Sequence, residues 1–416
     1  MAKLTPNDFA TFLLAISTML VLSRVGAEFG KKIGLPIVTA EIIVGVILGP
    51  TLLGNIAPHI YNRLFPFASN AGVSLALDGI FSLAVILLLF VAGLELQLAQ
   101  VLRQGKTALY TGFGSMVLPF FSGFTVAWFA PQWFGIDASS RFPFAMFLGT
   151  AMSVSALPVI ARILLDLNIF RTKTGMVVIA AAILNDLAGW LLFSFILSLW
   201  GPEKGTTDIS HTIIYILAFS VFMLVIGRVL LNRILPWIQS NLSWPGGVLS
   251  FCLGFCLLCA AFTEYIHIHA ILGAFIAGIA IGDSVYLEEK AREIMHQFVT
   301  NFFAPLFFVS IGLKVDFIQH FDLLIVVVVL ALAFFGKVLG ASLGARLGGM
   351  TRRSAMAVGC GLNARGAVEI LLGSLAFDAG LITQPVFVAL VIMALVTSIT
   401  SAPLMLYFLR GEPEGN

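Results

Sequence analysis

Charge is what this sequence has least of. Asp, Glu, Lys and Arg together make up 11% of its 416 residues, less than half the roughly 25% of an ordinary soluble domain. That shortage excludes a soluble enzyme and a disordered tail. The net charge of +2 gives no basic field to hold a polyanion, so a nucleic-acid binder is excluded as well. Cysteine is also scarce. Cys252, Cys256 and Cys259 share one helical face and Cys360 stands alone. Four such residues make no disulfide framework. No His or carboxylate shares their face at ligand spacing, so they are expected to pack as small apolar groups. No GxGxxG unit follows a strand and no GxxxxGK[ST] loop occurs. The reading is therefore no nucleotide domain in this chain, no resident cofactor and no ATP-driven pumping.

Apolar residues fill the space that charge leaves: 59% of the chain. The runs are long and apolar on all sides, which argues for membrane helices and against a barrel of short alternating strands. Thirteen spans are predicted, at 8–26, 35–53, 80–97, 107–130, 142–165, 173–200, 211–231, 247–264, 269–283, 297–313, 321–346, 353–380 and 385–410. The first has no small-residue cleavage site behind it and is not a removable signal. The fold class is an all-α polytopic membrane protein.

Lys and Arg orient it. Segments after odd-numbered spans hold sixteen of them, from Arg24 to Arg410, whereas the other side holds five: Lys3, Arg63, Arg141, Lys204 and Lys314. The odd loops and the C-terminus are therefore expected in the cytoplasm of a cell whose plasma (inner) membrane carries the protein, with the N-terminus outside. Spans one to six and eight to thirteen form two groups of six, and the second group enters from the opposite side. Two inverted six-helix repeats are the architecture of secondary transporters. The fifth span of each group, 142–165 and 353–380, is the one most interrupted by Gly, Pro and polar residues.

Ionisable residues at membrane depth are costly, about 2.5–3.5 kcal/mol on insertion scales, and mark function by default. Asp186 is the sharpest case, with more than ten residues of its span on either side. Burial favours its neutral form, and a carboxyl that takes either a proton or a metal cation is the minimal exchanger. Asn185 precedes it and offers an uncharged oxygen. In Gly149-Thr150-Ala-Met-Ser153-Val-Ser155-Ala-Leu-Pro158 the proline is expected to open the helix about one turn earlier, near Val154. The freed carbonyls and the hydroxyls of Thr150, Ser153 and Ser155 then become oxygen ligands for a hard cation. Arg365 and Glu369, four apart, are expected to neutralise each other and hold a second interrupted helix. Lys337 is expected to pair with Asp186 when no cation is bound. Glu41 lies within the second span, and Glu95, Glu264, Asp283 and Lys314 lie near span ends.

These motifs, with Gly336-Lys337-Val-Leu-Gly340, Asn363-Ala-Arg-Gly-Ala-Val-Glu369, Leu35-Pro36 through Glu41 to Gly49-Pro50, Val91-Ala-Gly-Leu-Glu95 and Leu306-Phe-Phe-Val-Ser-Ile-Gly-Leu-Lys-Val-Asp316, resemble the monovalent cation:proton antiporters of the second bacterial superfamily, the Kef, NapA and plant CHX types. The resemblance covers essentially the whole chain. It implies a NapA-like antiporter fold in which the discontinuous fifth and twelfth spans cross beside Asp186. It implies a homodimer with a scaffold of 1–98 and 247–313 and an ion-transport core of 107–200 and 321–410. A linker helix at 211–231 joins them, and a short tail follows at 411–416. The core would move against the scaffold. Electrogenic relatives carry two adjacent aspartates where this chain has Asn185-Asp186, which resembles the electroneutral branch. Lys337 matches a lysine associated with the electrogenic type. Glutathione-gated Kef members carry a nucleotide-binding domain that this sequence lacks.

The function expected is antiport of H+ against Na+ or K+ by alternating access, electroneutral and one for one. Proton and cation would compete for Asp186. Asn185, Thr150, Ser153 and Ser155 would supply oxygens, and Lys337, Arg365, Glu369 and Glu41 would tune charge or hold structure. The rivals are a potassium-efflux or channel-like pathway, an organic-anion carrier of similar inverted fold, and an inactive or sensory member.

Overall fold

A computed structural model of the chain describes residues 4–410 except 33–34, 36, 68–69, 97–104, 138–139, 168, 171 and 201–208. Lys3, Arg103, Arg171, Lys204 and the tail at 411–416 lie outside the described residues. The described residues form helices and no strands. The first four helices are α1 (Pro6–Lys32), α2 (Ile37–Leu48), α3 (Pro58–Leu64) and α4 (Ala71–Glu95). The next five are α5 (Gly105–Phe129), α6 (Arg141–Ser153), α7 (Leu157–Asp166), α8 (Lys173–Trp200) and α9 (Ile209–Phe222). Then come α10 (Arg228–Asn241), α11 (Gly246–Tyr265), α12 (Ala270–Gly282), α13 (Glu289–Phe298) and α14 (Ala304–Lys314). The last four are α15 (Leu323–Leu347), α16 (Arg352–Leu362), α17 (Ala367–Asp378) and α18 (Gln384–Leu409). Turns of π-helix at Pro50–Gly54, Met223–Gly227 and Val299–Phe303 extend α2, join α9 to α10 and join α13 to α14.

Among the described residues, ten helices, some continued through π turns, are long and apolar enough to cross a membrane. The chain is a multi-pass membrane protein. α12 is apolar but only 13 residues long, and two other apolar stretches are each split into two short helices, α6 with α7 and α16 with α17. Several ends differ from the sequence reading. The third span was expected from residue 80, yet α4 starts at Ala71, because the Asn70 side chain accepts the Gly72 and Val73 amides at 3.1 Å each. That N-cap anchors two polar turns that hydropathy misses. The charged run Glu288–Glu293, expected as a link, is helical from Glu289 and passes through the π turn into α14.

The chain folds as two compact units. The first comprises Met1–Leu96 and Ile214–His320, and the second comprises Gln97–Ile213 and Phe321–Asn416. In the first unit α2 packs on α14 and α4 on α12, over a core that includes Met19, Val44, Leu77, Phe81, Leu306 and Val309. Glu41 is buried here, with the Ser23 hydroxyl donating to it at 3.5 Å. Cys252, Cys256 and Cys259 are buried and unbonded, as is Cys360 in the second unit.

In the second unit the most extensive contact is α5 against α15. Glycines recur every fourth residue along α15, at Gly336, Gly340 and Gly344. A Cβ at any of them would strike the α5 backbone, at Pro119, Gly114 and Tyr110 respectively. Apolar helices in lipid gain little from burial alone and associate through such close backbone contact. This stripe fixes the register of α15 and with it the depth of Lys337, the residue after Gly336.

Candidate functional site

The second unit holds two helix interruptions, and each completes the other. α6 stops at Ser153, and Val154 is extended (φ −70°, ψ 152°). The chain resumes as helix at Leu157, whose following residue is Pro158. α16 stops at Leu362, and α17 starts after Gly366 (φ 172°, ψ −132°). The Ala156 amide donates to the Ala364 carbonyl at 3.1 Å, and the Ser155 hydroxyl donates to the Leu362 carbonyl at 2.9 Å. Non-helical backbone at membrane depth needs such partners.

Both buried cations of this region are placed at the end of α6. Arg365 donates through Nη1 to the Ala151 carbonyl at 2.6 Å and through Nη2 to the Met152 carbonyl at 2.6 Å. Lys337 Nζ donates to the Ser153 carbonyl. Three successive carbonyls at a helix C-terminus, where the helix dipole is most negative, thus meet the guanidinium of Arg365 and the amino group of Lys337. Arg365 also pairs with Glu369, and the Ser398 hydroxyl of α18 holds the Arg365 carbonyl. Arg365 and Lys337 are 0% exposed.

Asp186 is 5% exposed, midway along α8. Its carboxyl group accepts the backbone amide of Leu157, the first residue of α7. A carboxylate at a helix N-terminus is favoured by the exposed amides there. Its Oδ1 is buried and has no hydrogen-bond partner. Lys337 is near enough for its charge to act on Asp186. No direct ion pair joins the two: Nζ is committed to Ser153, and with the Asn185 amide turned so that its oxygen faces the lysine, that oxygen accepts from Nζ at 3.1 Å. The Asn185 amide also exchanges hydrogen bonds with the Ser115 hydroxyl, accepting at 2.8 Å, and donates to the Gly112 carbonyl at 3.1 Å. This orientation gives every one of its contacts a complementary partner.

The structure brings together most of the residues singled out in the sequence. Asp186 and Asn185 lie beside the α6–α7 interruption. Ser153 and Ser155 flank it. Arg365 and Glu369 face it from the α16–α17 side. Thr150 is buried one turn back, with its hydroxyl donating to Met146 at 2.8 Å. The Ser153 hydroxyl donates to Gly149 at 2.8 Å and to Met116 at 2.9 Å. Each hydroxyl proton is thereby engaged by a carbonyl, and the oxygen lone pairs remain. Glu41 belongs to the first unit. The expected Lys337–Asp186 pair is replaced by Lys337 on Ser153 and Asn185. The expected brace within span twelve is broader, because Arg365 spans to α6. Three residues escaped the sequence reading as contributors: Ser115, Ser398 and Asn363. The amide of Asn363 is 0% exposed, and neither its oxygen nor its nitrogen has a partner.

Comparison with known proteins gives this geometry a context. Residues 16–406 match the family model described as sodium/hydrogen exchanger, transmembrane. The chain is 32% identical over 383 residues to K(+)/H(+) antiporter 1 of Saccharomyces cerevisiae, covering 89% of this chain and 43% of that protein. It is 31% identical over 406 residues to Cation/H(+) antiporter 17 of Arabidopsis thaliana, covering 95% and 48%. It is 30% identical over 406 residues to Na(+)/H(+) antiporter NhaS4 of Synechocystis, covering 96% and 98%. The chain thus spans less than half the length of the first two and nearly all of the third. Its fold is similar to that of the sodium proton antiporter MjNhaP1 from Methanocaldococcus jannaschii, with a TM-score of 0.67 at 17% identity, over 97% of this chain and 100% of that one.

Proposed function

The chain belongs to the sodium/hydrogen exchanger family, and from that membership we propose that it is a secondary antiporter exchanging H+ for Na+ or K+ at Asp186. The observation that carries this reading is the state of that side chain. It is buried deep in an apolar helix, one carboxyl oxygen has no partner, and both nearby cations are engaged elsewhere. A proton or a monovalent cation can complete it, and the two cannot do so together. Carrying the bare charge through a dry barrier is costly, so only a loaded carboxyl moves. Competition alone couples the two fluxes.

In this reading Asn185, Thr150, Ser153 and Ser155 surround the cation with neutral oxygens, and one carboxyl per site makes exchange one for one and electroneutral. Lys337 acts on Asp186 through space: in its protonated form it lowers the affinity for both passengers and keeps either from binding too tightly to leave. Arg365 and Glu369 hold the interruptions, and Glu41 is structural in the first unit. The second unit, Gln97–Ile213 with Phe321–Asn416, is the transport core and works by alternating access. The first is the scaffold and the homodimer face. Thirteen crossings in two inverted repeats, N-terminus outside and C-terminus in the cytoplasm, complete the proposal.

A salt pulse on proteoliposomes loaded with a pH dye tests it. Adding NaCl or KCl to the wild type is expected to move protons. Asp186→Asn is expected to remain folded and lose the exchange by at least about 100-fold, since the single titrating group is gone. Exchange at the wild-type rate in that variant would refute the assignment.

A further inference from the structure

The two interruptions are treated unequally. Two cations face the C-terminal carbonyls of α6, from Arg365 and Lys337. At the C-terminus of α16 the described partners are neutral: the Ser155 hydroxyl on Leu362 and the Ala156 amide on Ala364. A helix C-terminus buried in a low-dielectric interior attracts positive charge. Asn363 sits at this end as the residue that caps α16, with both polar atoms of its side chain buried and unpartnered. A buried amide without partners is uncommon, because leaving it unmatched forfeits its hydration. The backbone on either side of it, at Leu362 and Ala364, touches Ser155 and Ala156, and the next residue, Leu157, gives its amide to Asp186. The backbone that carries the orphan amide is thus hydrogen-bonded to the segment whose next residue meets Asp186.

We propose that Asn363 is a ligand of the transported cation: its Oδ1 and the Leu362 carbonyl face the ion across from Asp186. This deepens the antiport reading and rests on it. The α16 terminus is left without a protein cation because the passenger supplies that charge. When Asp186 carries a proton instead, the site is neutral and the amide can turn its nitrogen toward the carboxyl. Asn363 thus discriminates between Na+ and K+ through the reach of an uncharged oxygen, while Asp186 discriminates cation from proton.

The test is thermal unfolding of the full-length purified protein in detergent, titrated with NaCl, with KCl and with choline chloride as the inert control. Wild type is expected to melt higher as Na+ or K+ rises. Asn363→Leu, which keeps the volume and removes the unmatched amide, is expected to melt no lower than wild type in choline and to need at least tenfold more Na+ or K+ for half of the shift. The same variant in the salt-pulse assay is expected to show a tenfold higher half-saturating cation concentration. Should the leucine variant fail to fold, Asn363→Ser carries the same readout and is expected to change the ratio of Na+ to K+ midpoints at least threefold. Unchanged midpoints and ratio, in a wild type that exchanges, would mean that water or packing satisfies the amide and would overturn this proposal alone. A wild type with neither exchange nor cation-dependent melting would overturn the antiport reading and this proposal with it.

Discussion

The ends of α6 and α16 are alike in kind and opposite in treatment. Each is the C-terminus of a short helix that stops within an apolar stretch, and each leaves carbonyl oxygens that lipid cannot satisfy. At α6 the protein supplies basic donors of its own, the Arg365 guanidinium and the Lys337 amino group. At α16 the described donors are a hydroxyl and an amide, with an unmatched asparagine beside them. The first end is built to stay as it is. The second has neutral described partners, and Asp186 of α8 meets the neighbouring start of α7; in the proposed reading this is where the passenger binds. On the proposed reading, a buried carboxyl serves as a transport site through where the neighbouring basic groups are not, as much as through its own depth.

Breaking the charged end is expected to have the largest effect on stability. Arg365→Ala strands the Ala151 and Met152 carbonyls and leaves Glu369 buried without its partner, a loss of about 3–5 kcal/mol. Thermal unfolding reads it, and Arg365→Lys should not restore it, because one ammonium cannot reach both carbonyls and the carboxylate in a fork. A melting point near that of wild type would show that the clamp is dispensable. Lys337→Met removes the donor to Ser153 and Asn185, and a loss of about 1–3 kcal/mol is expected. The same variant sharpens the contrast between the two ends, because removing a neighbouring positive charge should tighten cation binding at Asp186. Weaker binding would place Lys337 among the ligands' supports instead. Ser115→Ala costs Asn185 one partner, about 0.5–1.5 kcal/mol, and should alter cation affinity only a few-fold. The smallest effect is expected in the other unit. Glu41 has a long 3.5 Å contact with Ser23, so Ser23→Ala should change stability by less than about 1 kcal/mol and leave the exchange rate untouched. A loss of exchange there would make Glu41 part of the ion path.

Much of this is legible in the sequence. The depth of Asp186 followed from apolar residues on both sides of it. Pro158 marked the interruption, which lies at Val154–Ala156, where the missing amide and its helix strain would place it. Arg365 and Glu369, four apart, announced their pairing. What sequence did not give was choice of partner. Lys337 could be matched to Asp186 by charge alone, yet the glycine stripe on α15 sets it against the end of α6, where it donates to the Ser153 carbonyl. Asn363 was visible as a polar residue in an apolar stretch, but an unmatched amide is a property of packing that no spacing reveals. The start of α4 was missed because a side-chain cap, not hydropathy, determines it.

The central claim is that one carboxyl oxygen serves both passengers, and cation binding measured against pH tests it most directly. If Na+ or K+ displaces a single proton from Asp186, the apparent dissociation constant of the purified protein should rise tenfold for each pH unit lowered through the acidic limb, level off at high pH, and lose this dependence in Asp186→Asn together with measurable binding. A cation affinity that stays flat across pH, or that survives unchanged in the variant, would contradict the account.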